Sequence, residues 1–468
     1  MAKYIFVVGG VLSGVGKGIT AASIGAILQA KGLKVSIMKC DPYLNVDAST
    51  LCPAEHGECF VTHDGRETDL DLGHYERFLD IETNKFSTIL SGSLFHDLLT
   101  AEREGKFNGK TVQLVPHFTG LIQDKIEQSQ KSNNSDVHIV EIGGTVGDIE
   151  SLSFIEAIRE FRRRVGRENC FYVHVVWVPW INTSKEFKSK PAQNALRELR
   201  GFGITPNLVC VRSDNPTDET ILDKIAAFAG LDEDAVVNLP DVTSVYDVPL
   251  NLARAGAIAS LDKFAGGAHA NLASWESLSQ RLAERHQKTV RIGIVARYLE
   301  NQDVYLSALE ALKAAATANQ VNLEIEWIDA KSAVACDFKP VDGLFSLDSM
   351  RAVDFALQND KPYLGVGACL GGTVKTGNNE INLQAGSRVA EAYSNNEITE
   401  RARNSSCEQA QILDDPSLVV SGTSDGQPMF VEAPDRKFLI ITAVSPEFRS
   451  RPMRPHPLYV EFIRSSLC

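Results

Sequence analysis

A glycine-rich stretch near the start of the chain, residues 9–18, constrains the fold more than any other feature. It reads GGVLSGVGKG, follows an apolar run at residues 4–8 and precedes a helix-prone run at residues 19–30. A strand, a glycine-rich turn and a helix in this order present backbone N–H groups and a helix N-terminus to a phosphate, and Lys17 adds a positive charge. The stretch therefore predicts a nucleotide-binding loop, with a purely structural turn as the alternative.

The loop departs from the usual G-x-x-x-x-G-K-[ST] pattern in two ways. Five residues separate Gly10 from Gly16, and Gly18 stands where the pattern has a hydroxyl residue that binds magnesium. An ATP site built on this loop must take its metal ligands from carboxylates elsewhere, and the candidates are Asp71 and Glu141. Glu141 ends a strand-like run, where carboxylates face the ligand crevice of α/β sheets. The alternative for either residue is a solvated surface acid.

The composition is typical of a soluble globular protein of two or three domains. The chain has 468 residues, of which 44% are hydrophobic and 23% are charged. The net charge of −13 argues against general binding of nucleic acid or membrane surfaces, because such partners attract a basic face. No apolar run approaches the ~20 residues of a membrane span, and the first three residues lead into a strand without a signal peptide. We therefore expect a cytoplasmic protein.

The nine cysteines are scattered along the chain and form no C-x-x-C pair. This spacing indicates neither a zinc site nor a disulfide framework. We expect buried or incidental thiols in a reducing compartment.

Strand-like and helix-like runs alternate along the chain, which predicts an α/β fold with parallel sheets. The pattern stops at Phe264, and a glycine-containing, charged stretch follows. We predict a first domain over residues 1–266, a linker with a short helix over 267–289, and a second α/β domain over 290–468. Residues 377–425 are polar and weakly patterned, so no element is predicted there.

A lysine-rich segment at residues 185–191 is a second candidate for phosphate binding. Lys188 and Lys190 are near neighbours in this segment, and the proline that follows keeps its end from being helical. Two fixed ammonium groups in a loop suit a polyphosphate, and a charged solvated loop is the alternative. Lys224 lies in a helix-like run further along the chain.

Taken together, these stretches resemble the CTP synthase family, whose members aminate UTP at the expense of ATP and, usually, glutamine. The resemblance covers essentially the whole chain and is densest before Phe264. It rests on Gly9-Gly10 with Gly16-Lys-Gly18, Lys39 with Asp41-Pro-Tyr43, Asn45-Val-Asp47, His56-Gly-Glu58, the stretches at 67–78, 111–113 and 141–151, Pro116-His117, and Arg212-Ser-Asp214. It implies a P-loop-type parallel-sheet amidoligase domain (1–266), followed by a class I glutaminase-like, flavodoxin-like α/β domain (290–468).

The resemblance also implies roles for single residues. Catalysis falls to Lys17 and Lys39, and Mg²⁺ to Asp71 and Glu141. ATP is assigned to Ser13, Gly14, Val15, Gly16, Lys17, Gly18 and Asp71. The UTP-like substrate is assigned to Ser13, Asp148, Ile149, Glu150, Lys188, Lys190, Gln193 and Lys224, with neighbouring subunits of a homotetramer sharing the triphosphate site. Magnesium and Lys17 would stabilise phosphoryl transfer to a carbonyl oxygen, and ammonia or another amine would then displace the phosphate.

Several positions depart from the family's pattern in the first half. Gly14, Ser93 and Glu55 replace a serine, a basic residue and a glutamine, and Trp177 and Trp180 flank the lysine-rich segment. The lysines and carboxylates are kept. Phosphate binding is therefore expected, whereas the base and the amine donor stay open.

The second half has lost the residues of glutaminase chemistry, which needs a nucleophilic cysteine activated by a histidine and a carboxylate. Gly367 holds the place of the nucleophile, and Cys369 comes two residues late. Ser445 replaces the histidine, so the retained Glu447 has no imidazole to orient. The oxyanion segment is replaced by residues 346–350. We expect a folded scaffold without glutamine hydrolysis.

Three hypotheses remain open at this point. The chain could be a CTP-synthase-type amidoligase that uses free ammonia or another amine. It could act on a different substrate, such as a modified nucleotide in a specialised pathway. It could also be a nucleotide-binding regulatory paralogue, although a binding protein has no need of the metal pair.

Overall fold

The structure, a computed structural model, describes residues 2–347, 352–403, 406–407 and 414–467. The chain divides into two compact units. Unit 1 comprises Met1–Asp47 and His74–Gln280, and unit 2 comprises Ala48–Gly73 and Arg281–Cys468.

A seven-stranded, fully parallel sheet forms the centre of unit 1. Its strands are β1 (Lys3–Gly9), β2 (Val35–Asp41), β3 (Thr88–Leu90), β4 (Val137–Ile142), β5 (Cys170–Trp177), β6 (Leu208–Ser213) and β7 (Val236–Pro240). They lie in the order β7-β6-β5-β1-β4-β2-β3. The central strands are almost continuously apolar because helices cover both faces of a parallel sheet. The predicted parallel α/β fold is confirmed here.

The helices of unit 1 connect these strands. They are α1 (Lys17–Ala30), α2 (Asp71–Leu79), α3 (Ser91–Arg103), α4 (Thr119–Asn133), α5 (Leu152–Val165), α6 (Lys190–Gly201), α7 (Glu219–Ala229), α8 (Val248–Arg254), α9 (Ala257–Ala265) and α10 (Ala273–Ala283). Strand order reverses around β1, so the loop after β1 lies at the position where open α/β sheets bind ligands.

A nine-stranded mixed sheet forms the centre of unit 2. Its strands are β8 (Thr289–Ala296), β9 (Asn322–Asp329), β10 (Gly343–Leu347), β11 (Tyr363–Val366), β12 (Gly377–Leu383), β13 (Glu397–Ala402), β14 (Val419–Ser424), β15 (Gln427–Glu432) and β16 (Leu439–Thr442). Five parallel strands in the order β9-β8-β10-β11-β16 give the flavodoxin-like arrangement. The helices are α11 (Leu306–Ala318), α12 (Val353–Asn359), α13 (Arg388–Tyr393) and α14 (Pro457–Ser465).

The antiparallel half of this sheet was not predicted. β12, β13 and β14 occupy the polar region 377–425, where the sequence shows no clear pattern. The burial of β12 alternates along GNNEINL, since one face is packed and the other is exposed. Its few apolar residues are too sparse to stand out from the surrounding polar residues.

The observed unit boundaries differ from the predicted ones at residues 48–73. These residues pack within unit 2, although the sequence prediction placed them in the first domain. Arg401 donates to the Val61 carbonyl at 2.9 Å, and Phe60 packs against Phe448 with ring centroids 4.9 Å apart. Partners about 340 residues away in sequence cannot be recognised from local patterns.

The predicted linker over 267–289 also differs from the structure. Lys31 bonds to the Ala268 carbonyl at 2.7 Å, and Trp275 in α10 is buried against Phe78. Residues 267–280 therefore belong to the packed body of unit 1.

Two further expectations can be compared with the structure. Within the described residues, no helix is both long and apolar enough to cross a membrane. Cys40, Cys52, Cys59, Cys170, Cys210 and Cys336 carry free thiols. Cys369, in contrast, is disulfide-bonded, which the cysteine spacing did not predict.

Two buried histidines in unit 1 make its stability depend on pH. Burial lowers the pKa of His138 and of His174 to about 3, so both imidazoles are neutral in the folded protein. The unfolded chain takes up these protons near pH 6.5. Stability is therefore lost as the pH falls from 6.5 towards 3, by about 2 kcal/mol per histidine at pH 5.

We expect His138→Asn to remove about 2 kcal/mol of the stability difference between pH 7 and pH 5, because one group no longer titrates. Urea unfolding at the two pH values measures this difference, with the exposed His96→Asn as the control. An equal pH dependence in the wild type and in His138→Asn would show that His138 titrates normally.

Candidate functional site

The glycine-rich loop lies between β1 and α1, as predicted. Gly14 and Gly16 have φ angles of +74° and +93°, in the left-handed region that favours glycine. Gly16 precedes α1, so the first N–H groups of this helix face the loop. The stem of Lys17 passes over Gly9, where a Cβ would lie 2.6 Å from the Lys17 Cδ. A helix N-terminus preceded by such a turn favours anions, and phosphate binding by this loop stays a prediction.

Two charged residues of β2 lie beside Glu141 at the carboxyl ends of the central strands. In the parallel register, Lys39 pairs with Glu141, and Glu141 also pairs with Val7 of β1. Lys39, Asp41 and Glu141 are all buried. The Lys39 Nζ lies 3.5 Å from the Asp41 Oδ1. Ammonium and carboxylate groups buried together stabilise each other's charged forms.

Tyr75 of α2 donates a hydrogen bond to Glu141. This bond fixes the orientation of the carboxylate, and the tyrosine itself is fully buried. Burial, together with the nearby Asp41 and Glu141 carboxylates, raises the pKa of the Cys40 thiol well above its ordinary value. Two negative charges are therefore concentrated at this end of the sheet.

The donor atoms at the predicted metal position suit magnesium. Glu141 offers buried carboxylate oxygen, the ligand type that Mg²⁺ prefers. Asp71 is the first residue of α2, lies one helical turn before Tyr75, and is half-buried. The boundary between the two units falls within α2, after Gly73. Among the described residues, no group of three or more His, Cys, Asp and Glu side chains could hold a metal alone. Mg²⁺ typically binds one or two carboxylates and takes its other ligands from phosphates and water.

The predicted ribose-binding residues form an exposed turn after β4. The Thr145 amide donates to the Asp148 carboxylate at 3.2 Å, and the Thr145 hydroxyl donates to the same oxygen. This bonding holds the turn, while Ile149 is 82% exposed and Glu150 is exposed beside it. The turn follows the carboxyl end of β4, and its predicted role in ribose binding stays a prediction.

The lysine-rich segment brings together some of the predicted triphosphate residues. Lys188 bonds to Glu186 at 2.6 Å. The same carboxylate has its pKa lowered first by Lys188 and, to a lesser extent, by Lys224. Lys190 begins α6, and the buried Gln193 lies in its first turn, bonded to Ser189 at 3.1 Å. Two ammonium groups around one acid provide an electropositive patch.

Unit 2 contains a cavity of about 540 Å³ whose wall includes Gly367, Ser445 and Glu447. Gly367 follows β11 directly and has φ of +64°. Its N–H donates to the Val444 carbonyl at 3.1 Å, so the glycine occupies a tight turn after the strand. Residues 348–350 of the predicted oxyanion replacement lie outside the described residues.

Glu447 is fully buried and accepts a hydrogen bond from Tyr459 at 3.1 Å. Burial raises the pKa of Glu447 to about 8, and the neighbouring Glu58 carboxylate adds to the increase. Glu58 accepts hydrogen bonds from the amide and hydroxyl of Ser307. At neutral pH, Glu447 is therefore largely protonated.

Comparison with known proteins shows the family of the chain. The family model described as the CTP synthase N-terminus matches residues 3–264. The CTP synthase of Carboxydothermus hydrogenoformans is 39% identical over 534 residues, with 100% of this chain and 99% of the relative covered. The chain belongs to the CTP synthase family.

Two further relatives set the scale of the similarity. The CTP synthase of Streptococcus equi subsp. equi is 37% identical over 537 residues, with 100% and 99% coverage. The glutaminase domain of Trypanosoma brucei CTPS with bound acivicin gives a TM-score of 0.35 at 22% identity, covering 38% of this chain and 93% of that one. Alignments of 534 and 537 residues exceed the 468 residues of the chain, so these CTP synthases carry segments that it lacks.

The sequence did not predict a role for four residues at the site in unit 1. They are Asp41, Arg212, Tyr75 and His174. Asp41 and Arg212 belong to stretches that carry the resemblance. Asp41 ends β2 and Arg212 is the residue before the end of β6, and these positions could have identified them. Arg212 donates to the Val15 carbonyl at 3.3 Å and pairs with Asp241 at 2.6 Å, which links the loop to β7. Tyr75 also lies in a stretch that carries the resemblance, at 67–78, but its contact with Glu141 depends on the fold. His174 gave no local signal.

We expect Glu447→Gln to stabilise unit 2 at neutral pH. Folding raises the pKa of this carboxyl from 4.5 to about 8, so its contribution to stability falls as the pH rises from 4.5 to 8. A neutral glutamine does not titrate, so it avoids this decrease in the free energy of unfolding, which reaches about 3 kcal/mol at pH 7. Urea unfolding at pH 7.5 and pH 5 checks the prediction, with the exposed Glu397→Gln as the control. Equal destabilisation of Glu447→Gln at both pH values would contradict the raised pKa.

Proposed function

We propose that this chain is an ATP- and magnesium-dependent ligase that phosphorylates a carbonyl oxygen of a UTP-like nucleotide and replaces it with ammonia or another amine. The observation that carries the proposal is the joint burial of Lys39, Asp41 and Glu141 beside the glycine-rich loop and Lys17. Buried charged groups cluster at functional sites. Membership of the CTP synthase family supports a ligase of pyrimidine biosynthesis.

The proposed reaction has two steps. The carbonyl oxygen of the base attacks the γ-phosphorus of ATP, and ADP leaves. Ammonia then adds to the carbon that carried the carbonyl oxygen, and phosphate leaves with that oxygen. The loop N–H groups and Lys17 bind the phosphates, and Lys39 stabilises the charge that develops on the transferred group.

The buried neighbours of these groups hold them in position. Asp41 forms an ion pair with the Lys39 ammonium at the carboxyl end of β2. Tyr75 orients Glu141, which with Asp71 would hold magnesium. Bound magnesium supplies charge neutralisation for the ATP phosphates.

The nitrogen source is proposed to be free ammonia or another amine, without glutamine hydrolysis. Gly367 offers no nucleophile, and Ser445 cannot act as an imidazole base. The Cys369 sulfur is disulfide-bonded, so it is not a thiolate. The protonated Glu447 would not stabilise an imidazolium even if one were present.

The substrate is proposed to bind its triphosphate through Lys188, Lys190, Gln193 and Lys224, and its ribose at residues 148–150. The patch around Glu186 supports this assignment for Lys188 and Lys224. By analogy with the family, we propose that the chain acts as a homotetramer in which neighbouring subunits complete the site.

A second candidate function is the amination of a different, modified nucleotide. A short hairpin pairs Trp180–Ile181 with Glu186–Phe187, and the Trp180 and Phe187 rings meet at 4.9 Å directly before Lys188. This aromatic pair at the phosphate-binding segment favours a base or substituent that stacks on it. Purified protein screened with ATP, magnesium, ammonium and a panel of nucleoside triphosphates separates the candidates by ADP release and product mass.

We expect Asp71→Asn and Glu141→Gln each to abolish turnover while the protein stays folded. Each substitution removes a negative charge from the proposed metal site, so magnesium no longer offsets the phosphate charge. ADP release at saturating magnesium measures the loss, and the exposed Glu104→Gln controls for charge alone. Near-normal ADP release by both variants would refute the metal assignment.

We expect ammonium, but not glutamine, to support product formation, and GTP to have no effect. Nucleophile and base act as a unit, so Gly367→Cys alone should stay inactive with glutamine. Activity should rise on the alkaline side, where more of the ammonium is present as nucleophilic ammonia. The assay compares ammonium with glutamine freed of ammonia. Glutamine-dependent product that disappears in Cys369→Ala would show that Cys369 is the nucleophile.

A further inference from the structure

A buried histidine lies directly beneath the glycine-rich loop of unit 1. His174 belongs to β5 and pairs with Val8 of β1, two residues before Gly10. Its side chain is fully buried, and neither ring nitrogen hydrogen bonds to a residue that the structure describes. Buried polar groups are nearly always hydrogen-bonded, so an imidazole retained at this point calls for a role beyond packing.

His174 and Ala195 together occupy the space under Gly10. A Cβ at residue 10 would lie 2.9 Å from the His174 Nε2 and 2.4 Å from the Ala195 Cβ. Ala195 belongs to α6, whose first turn carries Lys190 and Gln193. The imidazole therefore lies where the proposed ATP loop meets the helix of the proposed triphosphate site.

The residue after Gly10 has a strained backbone. Val11 has φ of +83°, a value that is a genuine outlier for a β-branched residue. Such a conformation persists only when the surrounding structure determines it. The preceding residue, Gly10, is held by the bond from its N–H to the Val175 carbonyl, at 3.0 Å, and lies close to His174.

The neutral state of the ring suits this position. Burial lowers the pKa of His174 to about 3, and the nearby Lys17 contributes to the decrease. A neutral ring supports the loop without adding a second positive charge beside the Lys17 ammonium.

We propose that His174 is a positioning residue that holds Gly10 and thereby keeps Val11 and the phosphate-binding loop in the conformation that binds ATP. The inference rests on the proposed nucleotide-binding function of the loop. His174 does not touch the reacting atoms, so its effect should appear in nucleotide affinity rather than in the chemical step.

The test measures the Kd of magnesium-ATP by calorimetry and kcat by ADP release. We expect His174→Ala to raise the Kd at least tenfold while kcat at saturating ATP falls less than threefold. His138→Ala is the matched control, because His138 is equally buried on β4 but pairs with Tyr4 near the other end of β1. It should lower stability while leaving the Kd within twofold of the wild type.

A rescue variant separates positioning from a structural role. Glycine adopts φ above zero without strain, so Val11→Gly should no longer depend on His174. The double variant Val11→Gly with His174→Ala should therefore bind ATP within threefold of Val11→Gly alone. A Kd that stays tenfold higher in the double variant, or one unchanged in His174→Ala, would overturn the proposal.

A second variant and a direct measurement of ATP affinity keep the proposal falsifiable. If His174→Ala does not fold, His174→Asn is expected to show the same loss of affinity and the same rescue. Because affinity is measured directly, wild-type protein that binds ATP but forms no product would refute the proposed reaction and leave the role of His174 testable. Wild-type protein that does not bind ATP would overturn both.

Discussion

Parallel pairing of β1, β2 and β4 is the constraint on which the rest of unit 1 depends. The register places Lys39 opposite Glu141 and Glu141 opposite Val7, so the carboxyl ends of the three strands meet at one edge. A shift of one residue would turn these side chains to the other face of the sheet. Packing of the apolar residues within these strands sets the register. That register brings Lys39, Asp41 and Glu141 together at the carboxyl ends of the strands.

The buried charges at this edge are stable only as a group. A single buried ammonium or carboxylate would change its protonation state, because the desolvation of one charge costs several kcal/mol. Lys39 beside Asp41, and Glu141 bonded by Tyr75, compensate one another. In the proposed function, this arrangement is preorganised for a nucleotide phosphate and a cation, because the charged side chains need little reorganisation when these ligands bind.

Local patterns predicted the parts of the molecule that local chemistry determines. The glycine-rich loop and the strand at 137–142 follow from residues adjacent in sequence, whereas the turn at Gly367 was inferred from the resemblance to the family. The packing of residues 48–73 in unit 2, the antiparallel strands within 377–425, and the placement of Tyr75 and His174 depend on contacts between distant segments. No local pattern carries that information, because these contacts join segments that are far apart in sequence.

The turn at Gly367 bears on the proposal that unit 2 keeps its fold without glutaminase chemistry. Its φ of +64° lies in the left-handed region, where a non-glycine residue is strained by about 1 kcal/mol or more. A nucleophile at this point stores that strain for function, and glycine releases it. The core of unit 2 lies in the strands and helices around the turn, as the burial of Tyr363, Leu364 and Ile441 shows. Under the proposal, glycine at this turn favours stability, because it adopts the left-handed conformation without strain.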